Sequence, residues 1–92
     1  MSELSRSVTI VNKRGLHARA SAKFVGAVAA LDDAVSVHVA KEGMRAGGGS
    51  ILGLMMLGAA RGDSVDVLVE GPGAQSVLDE LVALIEDGFG EE

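Results

Sequence analysis

A lone histidine at the join of two different hydrophobic patterns is the residue best placed to do chemistry. It lies in Asn12-Lys13-Arg14-Gly15-Leu16-His17-Ala18-Arg19. Upstream, Val8 and Ile10 alternate with polar residues, as a half-buried strand does; downstream, Phe24, Val25, Val28 and Leu31 recur at helical spacing. His17 therefore falls at or just before the first turn of a helix, where backbone N–H groups lack intrahelical acceptors and the helix dipole is positive. Such a start attracts anions, phosphate above all. A nucleophilic imidazole beside that cradle points to a phosphoryl group carried on His17. The neighbours suit the task. Gly15 permits an unusual backbone angle, and Leu16 can seat the loop on the core. Ala18 has no bulk to block an incoming phosphorus, while Arg19 brings a permanent cation whose planar fork matches phosphate oxygens.

The charge distribution supports an anion site. The net charge is −5, which argues against a general nucleic-acid binder. Yet no Asp or Glu occurs between Leu4 and Leu31, whereas Arg6, Lys13, Arg14, Arg19 and Lys23 all lie there. The tail beyond Asp79 is acidic, and Asp32-Asp33 and the closing acidic residues read as solvating ends of elements. With two Phe and no Trp or Tyr, stacking platforms for single-stranded nucleic acid are missing.

The elements that must position His17 follow from periodicity. The spacing predicts strands at about 7–12, 35–40, 43–46 and 64–70 and helices at about 18–31, 50–58 and 74–87. Val35, Val37 and Val39 alternate with polar residues, as do Val65, Val67 and Val69. Val77, Leu78, Leu81, Val82, Leu84 and Ile85 form one wide apolar stripe. Strands with one apolar face each, in the order βαββαβα, pack most simply as a four-stranded, mostly antiparallel sheet with three helices on one face, an α+β open-faced sandwich. Ninety-two residues, 48% of them hydrophobic, suffice for a single domain over residues 1–92 and no second core. Cysteine is absent, so disulfides and thiolate metal sites are excluded. The segment Met1-Ser2-Glu3-Leu4-Ser5-Arg6 lacks a signal-peptide pattern, and no apolar run approaches the roughly 20 residues of a membrane span. A cytoplasmic location without membrane insertion is the expectation.

Two segments resemble one known family. Gly15-Leu16-His17-Ala18-Arg19, with Asn12 and the Val8/Ile10 strand before it, is similar to the active-centre segment of HPr, the histidine-containing phosphocarrier of the bacterial phosphotransferase system. Ser50-Ile51-Leu52-Gly53-Leu54-Met55-Met56-Leu57-Gly58, followed by Gly62-Asp63, resembles the family's regulatory-serine helix and the turn after it. The likeness runs ungapped over most of Val8 to Leu81. It implies an HPr-like fold and a relay. His17 would accept a phosphoryl group at Nδ1 from Enzyme I, which draws it from phosphoenolpyruvate, and pass it to a histidine of a IIA-type protein. Arg19 would balance the phosphate charge, and the backbone amides of Ala18 and Arg19 would complete the cradle. The chain would be a carrier rather than a stand-alone enzyme, with no cofactor or metal of its own and no need to be more than a monomer. Ser50 would serve an HPr kinase as a regulatory phosphorylation site besides capping its helix. One departure stands out: the family usually has Pro directly after the active-site Arg, and this chain has Ala20-Ser21.

The second segment also carries more apolar side chains than one short helix can bury. Leu54 and Leu57 are assigned to the core, and Ile51, Leu52 and Met55 to a docking patch that methionine makes adaptable. Other signals are weaker. Arg61-Gly62-Asp63 reads as a turn, Gly47-Gly48-Gly49-Ser50 lacks the Lys of a P-loop, and His38 belongs to the wet face of a strand. The rival readings are a nitrogen-related carrier with a regulatory output, a docking module that is never phosphorylated on histidine, and, least favoured, a small phosphate-ligand enzyme. The pair His17 and Arg19 argues against the second.

Overall fold

The computed structural model describes residues 3–91. Met1, Ser2 and Glu92, which belong to the opening segment and acidic tail discussed above, lie outside the described residues. Strands β1 (Leu4–Thr9), β2 (Ser36–Lys41), β3 (Met44–Gly47) and β4 (Ser64–Glu70) form one sheet. Their order is β1-β4-β2-β3, and every pairing is antiparallel. Helices α1 (Ala18–Ala29), α2 (Ile51–Met56) and α3 (Ala74–Glu86) cover one face, and a single 3-10 turn, Gly88–Gly90, follows α3.

The alternation drives this layering. Val37 and Val39 of β2 and Val65, Val67 and Val69 of β4 are buried, while Ser36, Ser64 and Asp66 stay exposed on the opposite face. From the helices, Phe24 of α1, Leu54 of α2 and Leu78, Leu81, Val82 and Ile85 of α3 enter the same core. Each fully buried aliphatic or aromatic side chain stabilises the fold by about 1.5–3 kcal/mol. Leu54 and Leu57 are core residues as expected, and Ala46 of the glycine-rich third strand is buried beside them.

The first strand lies earlier than its pattern suggests. It runs Leu4–Thr9 because its ladder with β4 extends from Leu4↔Val69 to Thr9↔Ser64, where β4 begins. Ile10 is fully buried but lies past the strand, held by Ile10 N–H to Asp63 C=O at 2.8 Å and Gly62 N–H to Ile10 C=O at 2.8 Å. Arg6 disguises the strand's apolar side. Its guanidinium meets Asp79 of α3 at 2.6 Å, and hydrogen bonds from Arg6 and Gln75 hold the Asp79 carboxyl below its usual range. Arg6 is therefore spent on α3, which removes it from the cationic group assigned to His17.

Helix α1 ends at Ala29, two residues before the apolar pattern does. Its start needs no proline. Ala20 is fully buried, and Ser21, also fully buried, donates through Oγ to the Leu16 carbonyl at 3.2 Å. Alanine's high helix propensity and that side-chain tie stand where the family's proline would pre-set the turn. Beyond α3 the sequence reading stops too early. The 3-10 turn buries Phe89, whose backbone is left-handed with φ 59°. A bulky residue in that region costs about 1–2 kcal/mol, and burial of the ring offsets it.

Candidate functional site

A close backbone approach, two hydrogen bonds and one buried side chain build the loop that carries His17. Gly15 adopts φ 62°, and a Cβ there would stand 2.3 Å from the Ala59 carbonyl oxygen. That same carbonyl accepts the Leu16 N–H at 3.0 Å. The Leu16 side chain is buried, as the expected plug. Asn12, also buried, donates from Nδ2 to the Gly15 carbonyl at 2.9 Å and closes the loop from within.

His17 is the N-cap of α1, with extended backbone at φ −76° and ψ −178°. Its imidazole makes no cap bond. The first helical bond runs from the Ser21 N–H to the His17 carbonyl at 2.9 Å, so the amides of Ala18 and Arg19 have no intrahelical acceptor. Both residues are exposed. These amides lie at the helix start next to the residue that carries the ring.

The ring is not free on both sides. Nε2 of His17 lies 2.8 Å from Oε2 of Glu91. Glu91 Oε1 accepts a second bond, from Asn12 Nδ2 at 3.1 Å. Lys23 Nζ donates to the Phe89 carbonyl at 2.7 Å and ties the turn before Glu91 to α1. Partial desolvation pushes the Glu91 carboxyl up, but the hydrogen bonds from Asn12 and His17 and the charges of His17 and Lys23 outweigh it and leave it below its ordinary range. Glu91 corrects the reading of the closing acidic residues as mere solvating groups. Composition could not reveal it, because the contact joins residues 74 apart in the chain and depends on Phe89 folding the segment back.

Lys13, Arg14, Arg19 and Lys23 line one depression together with Gly90 and Glu91. Four of the five expected cations therefore gather beside the His17–Glu91 pair, and Arg6 does not. On α2, Ser50 is the N-cap, its Oγ accepting the Gly53 N–H at 2.9 Å. Ile51, Leu52 and Met55 are exposed as expected, and Met56, not included in the patch by sequence, is 64% exposed. Helix α2 packs directly on α1, so the patch and the His17 loop occupy neighbouring elements. No helix of the described residues is long and apolar enough to cross a membrane.

An antiparallel open-faced sandwich with a histidine presented at the start of its first helix is the build of a phosphocarrier domain. Residues 4–87 match the family model described as PTS HPr component phosphorylation site. A phosphocarrier protein HPr of Cupriavidus necator is 42% identical over 88 residues, covering 96% of this chain and 97% of the relative. A phosphocarrier protein NPr of Shewanella violacea is 37% identical over 91 residues, covering 99% and 98%. Among solved structures, HPr-C-His of Thermoanaerobacter tengcongensis superposes with a TM-score of 0.86 at 37% identity, covering 100% of this chain and 99% of the other. The chain belongs to the HPr family of phosphocarriers of the phosphotransferase system.

Proposed function

We propose that His17 carries the phosphoryl group, accepting it at Nδ1 from phospho-Enzyme I and yielding it to a histidine of a IIA-type protein. One observation carries this reading: His17 stands at the N-cap position of α1 beside the unpaired amides of Ala18 and Arg19, and Lys13, Arg14, Arg19 and Lys23 rim the adjoining depression. Transfer of this kind depends on in-line positioning and charge stabilisation. The cradle amides position the three phosphoryl oxygens, and the cations offset their charge. The domain spans residues 1–92, works in the cytoplasm as a monomer, and acts as a substrate of its partners rather than as a stand-alone enzyme. Identity is higher to the Cupriavidus HPr than to the Shewanella NPr, which supports a role in sugar uptake or its regulation over the nitrogen-related branch. The test is incubation with Enzyme I and labelled phosphoenolpyruvate. One acid-labile, base-stable phosphate per chain is the expected product, and absence of uptake would overturn the reading.

Arg19 is the cation assigned to the phosphate itself. Arg19→Ala should lower the rate of transfer to a IIA acceptor about tenfold, the worth of one charge-assisted hydrogen bond. Arg19→Lys should restore only part of it, because a point charge lacks the bidentate fork. Equal rates for all three proteins would remove Arg19 from the site.

Ser50 serves as the regulatory phosphorylation site. Its hydroxyl is exposed at the start of α2, beside the patch of Ile51, Leu52 and Met55 that docks partners. A phosphate there brings about −2 charges onto a surface that must approach other proteins. Ser50→Asp should raise the KM for Enzyme I several-fold with little change in kcat, whereas Ser50→Ala should lower stability by about 1 kcal/mol through loss of the cap and leave KM unchanged. A KM unaltered by Ser50→Asp would reduce Ser50 to a cap.

A further inference from the structure

The His17–Glu91 contact sorts the two ring nitrogens, and we infer that Glu91 is a positioning residue which holds the Nε2–H tautomer of His17 and so presents Nδ1 as the attacking atom. The inference rests on His17 as the phosphoryl acceptor, and deepens it. An ionised carboxylate has only acceptors. With Glu91 Oε2 2.8 Å from Nε2, Nε2 is the nitrogen that carries a proton, and in the neutral ring the lone pair is left on Nδ1.

The carboxylate is itself held. Oε1 takes the Asn12 Nδ2–H at 3.1 Å, and Asn12 spans from Glu91 to the Gly15 carbonyl inside the His17 loop. Lys23 grips the Phe89 carbonyl, and the buried Phe89 ring pins the segment to the core. His17 and Glu91 retain only 15% and 18% side-chain exposure, so water competes weakly for the bond. A partly buried orienting acid on one nitrogen, with the lone pair left on the other, is the arrangement by which a carboxylate selects a histidine tautomer in acyl-transfer triads.

The arrangement also balances the transfer step. The Nδ1 lone pair forms an N–P bond as the donor's N–P bond breaks, and the electron pair returns to the donor imidazole. The Nε2 proton stays on His17, whose ring is now a phosphorylated imidazolium. Glu91 accepts from that proton throughout, so the positive charge that develops on the ring meets a fixed negative partner. The four cations at the depression offset the carboxylate towards the incoming phosphoryl group.

The deciding measurement is the tautomer. In the full chain with ¹⁵N-labelled histidine, long-range ¹H–¹⁵N spectra at a pH where the ring is neutral should show His17 almost wholly protonated on Nε2, with His38 as the internal reference. Glu91→Ala should mix the tautomers and slow phosphorylation by Enzyme I about tenfold, on kcat rather than KM. Glu91→Gln keeps one acceptor oxygen. It should retain much of the Nε2–H preference and lie between the parent and Glu91→Ala in rate. A tautomer ratio unmoved by Glu91→Ala overturns the inference, as does a shifted ratio with an unchanged rate. A parent chain that takes up no phosphate overturns the carrier reading instead. The spectra are recorded without phosphate, so they still decide whether Glu91 sets the tautomer.

Discussion

His17→Ala should abolish uptake of phosphate from phosphoenolpyruvate and Enzyme I while leaving the circular-dichroism spectrum and cooperative unfolding in place. The contrast between the two readouts follows from what the ring touches. Among the described residues its side chain bonds only to Glu91, and it contributes nothing to capping α1. The His17 backbone carbonyl, which opens the helix by accepting from Ser21, survives the change. Alanine in place of imidazole therefore removes the proposed phosphoryl acceptor without emptying part of the core. Labelling that persists in this variant would move the acceptor elsewhere, and His38, partly exposed on β2, would be the residue to replace next.

Gly15→Ala should have the largest effect on stability, about 2 kcal/mol or more, and should slow phosphate uptake as well. Two penalties add. The φ of 62° is one that a residue with a Cβ adopts only at a cost of about 1–2 kcal/mol. The new Cβ would also stand 2.3 Å from the Ala59 carbonyl oxygen and 2.9 Å from the Ala60 Cα, both backbone atoms with little room to retreat. For a domain of this size the midpoint of thermal unfolding should fall by about 10 °C. The functional loss arises because the displaced carbonyl is the acceptor for the Leu16 N–H. Moving it moves the residue that delivers His17 to the helix start. An unfolding midpoint within a degree of the parent would mean that the loop relaxes freely and that Gly15 is dispensable.

The parts legible in the sequence are those governed by short-range periodicity. Strands β2 and β4 alternate without interruption, α3 carries a continuous stripe, and Ser50 stands directly before an apolar run, so their faces, ends and cap could be read from neighbours. The position of His17 at a helix start was legible for the same reason, since a strand pattern and a helix pattern meet there. What escaped depends on distant partners. Arg6 broke the alternation of β1 because Asp79, far along the chain, makes a charged residue tolerable on that side. Ser21 looked like an ordinary helix serine, although its burial and its bond to Leu16 help to replace a proline. Glu91 sat in an acidic tail whose composition suggests solvation. Its role depends on Phe89, a single aromatic among glycines whose left-handed backbone turns the segment towards Asn12 and Lys23.

That closing contact gives the site a temporal order. A chain emerging from the ribosome exposes His17 before Glu91 has been synthesised, because the contact joins residues 74 apart in the chain. A nascent, clipped or partly unfolded copy would offer a histidine whose reactive nitrogen is unspecified. On the proposed reading, such a copy would be the poorer phosphoryl acceptor.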